Sequence, residues 1–134
     1  MSRPSFQVVR AYLWPLLLLI TLFLASGMPH LAAPDIELGL PRDKVLHFLF
    51  FGLLATSIIR TPCFQRGSLL QIAVVILLGA SLGGLDEFRQ SFTPGREVDL
   101  HDWYANGLGT VVAVIAYTKW PLYRRLLEWE KPRA

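Results

Sequence analysis

Four long apolar segments, separated by short polar stretches, dominate the pattern of hydrophobic and polar positions along the chain. They cover residues 11–28, 45–59, 69–85 and 103–120. At a rise of about 1.5 Å per residue, helices of this length approach the thickness of a hydrocarbon core, roughly 30 Å. Because lipid offers the backbone no hydrogen-bond partner, such segments are expected to be helices and not strands. The pattern predicts an all-α fold, a four-helix transmembrane bundle with up-and-down topology.

Composition agrees with a membrane environment. Hydrophobic residues make up 53% of the chain and charged residues 17%, which is less polar surface than a soluble domain of 134 residues needs. We therefore expect one integral membrane domain over residues 1–134. The net charge of +3 would suit nucleic acid, but the basic residues lie in short clusters beside apolar runs, so no nucleic-acid partner is expected. The single cysteine excludes an intrachain disulfide.

The distribution of lysine and arginine predicts the orientation in the membrane. With the N-terminus inside, nine of the 13 basic residues fall on the cytoplasmic side, which favours both termini in the cytoplasm. The cytoplasmic set is Arg3, Arg10, Arg60, Arg66, Lys119, Arg124, Arg125, Lys131 and Arg133, and the outer set is Arg42, Lys44, Arg89 and Arg96.

Both ends of the chain leave alternatives. The first segment has the charge and apolar core of a secretory signal, but no A-x-A-like cleavage site follows it, so we predict an uncleaved first span. Residues 121–134 are expected to form a cytoplasmic tail. The spacing of Leu122, Leu126 and Trp129 suits a short amphipathic helix there, and an unstructured polar tail is the alternative.

Small residues at helical spacing indicate where helices approach closely. Gly79 and Gly83 form a G-x-x-x-G pair in the third segment, and Ala105, Gly109 and Ala113 repeat the spacing in the fourth. Packing within the chain is the favoured interpretation. Contact with a protein partner or a second copy through the same positions is the alternative.

Two short charged strings flank the second and third segments. Asp43-Lys44-x-x-His47 begins the second helix, where spacings of three and four place the side chains on one face. In the alternative explanation, which this string taken alone favours, Asp43 caps the helix, Lys44 extends its amine to the interface and His47 fills a gap there. Asp86-Glu87-x-x-Gln90 ends the third helix, where carboxylates oppose the helix dipole. That small penalty favours a functional role for the second string.

A third string precedes and enters the fourth helix. It begins with a Pro94-Gly95-Arg96 turn. Asp99 then suits the N-cap, and Asp102 suits the third helical position, where a carboxylate is favourable. Asn106 lies one turn deeper in an apolar helix, where its amide needs a buried partner.

An up-and-down bundle brings all three strings to the outer leaflet. Ionisable groups at membrane depth are costly unless they pair or line a wet cavity, which makes these residues candidates for function. Arg96 is the expected partner of Asp86, of Glu87 or of a ligand phosphate or carboxylate. The predicted catalytic residues are His47, Asp86 and Glu87, which would transfer protons. The predicted ligand-binding residues are Asp43, Lys44, Gln90, Arg96, Asp99, Asp102 and Asn106.

The same charged residues allow other interpretations. Carboxylates such as Asp86 or Asp102 can hold a divalent cation, but their spacing matches no recognised metal loop, so no metal site is predicted. The competing hypothesis is structural: an internal polar network that joins the helix ends, in an accessory subunit of an envelope complex. A channel is disfavoured, because the polar residues stop near one interface.

Taken together, the strings resemble the VanZ-like membrane protein family. The resemblance rests on Asp43-Lys44-x-x-His47, Asp86-Glu87-x-x-Gln90, Pro94-Gly95-Arg96 and Asp102-x-x-x-Asn106-x-x-Gly109, and it covers about residues 42–113. It implies a compact polytopic protein of the bacterial inner membrane, from a family linked to teicoplanin resistance, but it brings no established reaction or cofactor. The expected function is binding or processing of an amphiphilic, anionic cell-envelope component, such as a lipid-linked phosphate or a glycan precursor.

Overall fold

The computed structural model describes residues 6–29 and 41–128. Within these residues the chain is entirely helical, with no strand, which confirms the predicted all-α class. The helices are α1 (Phe6–Ser26), α2 (Arg42–Ile59), α3 (Leu69–Gln90), α4 (Leu100–Lys119) and α5 (Pro121–Leu127).

The helices extend past the predicted apolar segments wherever polar side chains form a terminal turn. α2 begins three residues earlier than predicted, α3 ends five residues later, and α4 begins three residues earlier. Hydropathy marks only the apolar part of a helix, whereas caps mark its ends. Asp99 caps α4 as predicted, because its side chain accepts from the His101 backbone N–H at 2.8 Å. Pro41, and not Asp43, occupies the N-cap of α2.

A short helix begins at Pro121 and ends at Leu127, so the prediction of a helix is confirmed over these residues, and Trp129 lies outside the described residues. Its amphipathic contact with the membrane surface stays a prediction. Arg60, at the C-terminal cap of α2, anchors the end of this helix. Its guanidinium donates to the Leu127 carbonyl at 2.7 Å and to Glu128 Oε1 at 2.8 Å. α5 is thereby held against the end of α2.

The largest helix contact is between α2 and α4, and glycine makes it possible. A Cβ at Gly109 would overlap the carbonyl oxygen of Phe48, and a Cβ at Gly52 would lie 3.4 Å from the carbonyl oxygen of Gly109. The two backbones therefore touch, which is the close approach that small residues permit. Beside this contact lies a core of buried side chains that includes Phe51, Ile59 and Val114.

The glycine pair of α3 packs against α4 in the same chain. Both Gly79 and Gly83 are buried; a Cβ at Gly79 would crowd the Thr110 side chain, and one at Gly83 would lie 3.1 Å from Asn106 Cβ. The structure therefore uses these small residues within the bundle. Contact with a second copy through them stays a prediction.

The four long helices run up and down. Ser26 at the end of α1 hydrogen-bonds Asp86 at the end of α3, and His47 near the start of α2 hydrogen-bonds Asn106 near the start of α4. Helix ends and helix starts therefore alternate at one face of the bundle.

By length and composition, two helices in the described part of the chain are apolar enough to cross a membrane: Val8–Ser26 and Leu69–Gln90. α2 and α4 carry charged residues in their first turns, Asp43 and Asp102 among them, and these reduce their apolar character. Crossing by all four helices therefore stays a prediction.

Candidate functional site

A cavity of about 290 Å³ lies at the face where α1 and α3 end and α2 begins. One part of its wall is apolar and comes from Leu22, Ala25, Leu46, Phe50 and Phe51. The other part is polar and includes Ser26, Asp43, His47, Asp86, Gln90 and Arg96. Five of these six polar residues were predicted from the sequence. The cavity therefore has an apolar part and a charged part.

Asp86 is only 4% exposed, yet both of its carboxylate oxygens are satisfied. The Ser26 hydroxyl donates to Oδ1, and the amide of Gln90, one turn later on α3, donates to Oδ2 at 3.0 Å. The Thr93 hydroxyl donates to the Ser26 carbonyl at 2.9 Å, which ties the α3–α4 loop to the end of α1. Ser26 and Thr93 were missed from the sequence; their polarity at this end of apolar helices was the available signal.

Lys44 joins α2 to α4 through two carboxylates. Its Nζ lies 2.5 Å from Asp99 Oδ2 and 2.8 Å from Asp102 Oδ1. Lys44, together with the backbone and ring N–H groups of His101, holds the pKa of the Asp99 carboxyl well below its usual range. The charge of Lys44 is therefore already engaged within the protein.

The buried partner expected for Asn106 is His47. His47 Nδ1 lies 2.9 Å from Asn106 Oδ1, and because an amide oxygen only accepts, this ring nitrogen carries the hydrogen. In a neutral ring Nε2 is then the acceptor, and it lies 3.8 Å from Asp43 Oδ1. The Asn106 side chain is fully buried, and its Nδ2 has no hydrogen-bond partner among the described residues.

Arg96 and Glu87 keep unused polar atoms. Arg96 donates to Gln90 Oε1 at 3.4 Å, whereas its Nε is buried with no partner in the described residues. Glu87 Oε2 accepts from the Asp99 backbone N–H at 3.2 Å, and Glu87 Oε1 is buried without a partner there. Arg96 forms no ion pair with Asp86 or Glu87 in this part of the chain. Its pairing with a ligand anion stays a prediction.

The contacts join all ten predicted residues in one cluster. His47 connects Asp43 and Asn106, and its ring also lies within 4.8 Å of Asp86 and Glu87. The backbone of Asp99 then links Glu87 to the lysine pair. Arg89 of the second string turns away instead: its guanidinium lies 3.4 Å over the ring of Phe23 on α1, a cation–π contact that was also missed from the sequence.

Chemically, the cluster offers three kinds of group. Arg96 provides a planar donor fork for an anion, His47 provides a second ring nitrogen, Nε2, and Glu87 provides a buried carboxylate oxygen that is free to bind. Arg96 and His47 line the cavity, and Glu87 lies beside His47.

Comparison with known proteins identifies the family. The sequence model of the VanZ/LLP1 family matches residues 5–123, which span α1 to α4 and the start of α5 and exceed the 42–113 range of the motifs. No curated protein and no solved structure matches the chain. Since the family match covers most of the chain and includes every residue of the polar cluster, the chain belongs to the VanZ/LLP1 family.

Proposed function

We propose that this protein spans the bacterial inner membrane four times, with both termini inside, and binds an amphiphilic anionic envelope component at the outer leaflet. The observation that carries the proposal is the cavity, in which an apolar wall leads to the half-buried Arg96, whose Nε is buried without a partner among the described residues. If the bound component is also processed, His47 with Asp86 or Glu87 is the group that would move a proton.

Support for four spans comes from the exposed faces of α2 and α4. Leu46, Leu49 and Leu53 on α2 are each about half exposed, as are Leu108 and Ile115 on α4. Water would penalise such contiguous apolar stripes, whereas lipid would solvate them. In the first turns of the same helices, Lys44 of α2 pairs with the buried Asp102 of α4.

Support for an anionic ligand comes from the way charge is distributed. Lys44 neutralises Asp99 and Asp102, and neutral hydrogen-bond donors satisfy Asp86. Arg96 is therefore the cation on the cavity wall whose charge is not taken up by these carboxylates. A guanidinium binds phosphate or carboxylate through two parallel hydrogen bonds, so a phosphate-bearing headgroup fits its chemistry.

Support for an amphiphile comes from the other wall. Leu22, Leu46 and Phe50 line the cavity from α1 and α2, within the apolar part of the bundle. Ligand sites of this kind hold an apolar group by burial and orient it through a few polar contacts. An acyl or prenyl chain placed between α1 and α2, with its headgroup at Arg96, satisfies both walls.

Native mass spectrometry of the detergent-purified chain with a polyprenyl phosphate as probe tests this function. We expect a one-to-one complex, and we expect Arg96→Gln to weaken it by at least about tenfold, the loss of one charged hydrogen-bonding partner. Arg89→Gln is the matched control, since it removes a guanidinium from the same end of the bundle but outside the cavity lining. Absence of binding by the wild type, or equal loss in both variants, would contradict the proposal.

The structural hypothesis remains a second candidate, because the cluster joins all four long helices through hydrogen bonds. Arg96→Lys separates the two, because lysine keeps the positive charge but loses the planar guanidinium that would bind the anion through two hydrogen bonds. A binding site predicts near-normal detergent stability with loss of polyprenyl phosphate binding. A helix-locking network predicts that stability and binding fall together.

A further inference from the structure

We propose that His47, Asp86 and Glu87 form a binding site for one divalent metal ion of the Mn²⁺ or Zn²⁺ type. The site stands whether or not the cavity binds an anionic lipid, so the two proposals can fail separately. The spacing of these residues along the chain matches no metal motif, and the helix packing is what brings them together.

The three side chains are close enough that a small rearrangement would let them coordinate one ion. One ring nitrogen of His47 and one carboxylate oxygen from each of Asp86 and Glu87 lie within 4.8 Å of one another. Metal–ligand distances of about 2.0–2.3 Å place ligand atoms on a shared ion roughly 3 to 4.5 Å apart. A modest rotation of the Glu87 or His47 side chain therefore suffices to close the set around an ion.

His47 is already oriented as metal-binding histidines are. Its Nδ1–H donates to Asn106 Oδ1 at 2.9 Å, which leaves the lone pair of Nε2 available. In metal sites the second ring nitrogen of a ligating histidine almost always donates to an oxygen in this way, because that contact fixes the tautomer and the ring orientation. The Asn106 side chain is itself fully buried, so the ring is held by a rigid partner.

Glu87 supplies the independent observation that points to a ligand. It is only 4% exposed, and its Oε1 has no hydrogen-bond partner among the described residues. Neither Glu87 nor Asp86 forms an ion pair with a lysine or arginine in that part of the chain. A buried carboxylate oxygen without a partner is costly, and a bound cation would remove that cost.

A second cluster, Asp43 with His47 and Asp102, is the weaker alternative. Lys44 already lies 2.8 Å from Asp102, so an ion there would have to compete with an ammonium group. The side chain of Asp43 is also 45% exposed, whereas Glu87 and Asp86 are buried. The buried set, which no basic side chain occupies, is therefore the better site.

The ligand set decides the class of metal. Two carboxylate oxygens and one imidazole suit Mn²⁺, Fe²⁺ or Zn²⁺, whereas Ca²⁺ prefers six to eight oxygen ligands and Mg²⁺ retains most of its waters. Three protein ligands leave open positions for water.

Titration of the EDTA-stripped full chain in detergent with Mn²⁺, followed by electron paramagnetic resonance, tests the proposal. We expect one bound ion per chain, displaced by Zn²⁺, with nitrogen coupling from an imidazole in the pulsed spectrum. Glu87→Gln should weaken Mn²⁺ binding by at least about tenfold. A residue that binds the metal directly contributes at least as much affinity as the residues that orient it, whose loss already has an effect of this size. Glu97→Gln, which removes an exposed carboxylate from the α3–α4 loop, is the matched control and should bind like the wild type.

The wild-type titration decides the matter even if a variant fails to fold, which circular dichroism would reveal. Substoichiometric binding, or a bound ion without nitrogen coupling, would overturn the proposal. Unchanged affinity in a folded Glu87→Gln protein would overturn it as well. If the wild type binds Mn²⁺ but does not bind polyprenyl phosphate, the proposed function is contradicted and the metal site is not.

Discussion

Gly109 determines how closely α2 and α4 can approach. Any Cβ there would overlap the Phe48 carbonyl, so the helices would have to separate along their whole contact. We predict that Gly109→Ala destabilises the protein by about 1–3 kcal/mol, the usual cost of overpacking. Thermal or denaturant unfolding in detergent measures it.

Gly107 provides the control for this prediction. A Cβ at Gly107 would meet nothing within 4 Å, so Gly107→Ala should be neutral or slightly stabilising through helix propensity. Equal effects at the two positions would show that propensity, and not close packing, determines the result.

The Asp99 carboxylate makes stability depend on pH in a defined direction. Its pKa is lowered in the folded protein, chiefly by Lys44, so its contribution is complete above the unfolded pKa of about 4 and is lost as pH falls through the folded value. We predict that the melting temperatures of the wild type and Asp99→Asn differ most near neutral pH and converge below about pH 4. Asparagine still caps a helix, so the difference reports charge. A gap that is constant with pH would contradict this reading.

The apolar segments of the sequence predicted where the long helices lie but not where they end. α3 continues to Gln90 and α2 begins at Arg42, because caps and loop contacts, and not hydropathy, stop a helix. The site strings were equally visible, since spacings of three and four mark one helical face. What periodicity leaves open is how each helix is rotated against its neighbours. The contacts of Ser26 with Asp86 and of Arg89 with Phe23 depend on that rotation, and so no sequence pattern revealed them.

Arg60 makes two of the hydrogen bonds that dock α5, beside the contacts of Tyr123 with Thr56 and of Glu128 with Tyr117. Arg60 contacts both the Leu127 carbonyl and the Glu128 carboxylate, and α5 is too short to be stable alone. We predict that Arg60→Ala raises amide exchange in residues 121–128 by about tenfold, since it removes a charged hydrogen-bond pair, while exchange in α3 and α4 is unchanged. Arg66→Ala, at an exposed position in the same loop, is the control. If exchange in α5 is the same in both variants, the helix is held by other contacts.

The membrane topology of the protein can be tested through its single cysteine. Cys63 is exposed and follows α2, so four spans with both termini inside place it in the cytoplasm. We predict that an impermeant maleimide labels it only after cells are permeabilised. In a Cys63→Ser background, Glu97→Cys in the α3–α4 loop should be labelled in intact cells. Labelling of both positions from the same side would show that α3 does not cross the membrane.

In the proposed function, an anionic amphiphile occupies the cavity that the ends of α1 and α3, the start of α2 and Arg96 of the α3–α4 loop enclose. A structure of the protein in nanodiscs containing a polyprenyl phosphate would show whether it does. We expect elongated density along Leu22 and Phe50, with a headgroup within hydrogen-bonding distance of the Arg96 guanidinium. The proposed function would be contradicted if the cavity held no such density, or if Arg96→Gln showed the same density as the wild type.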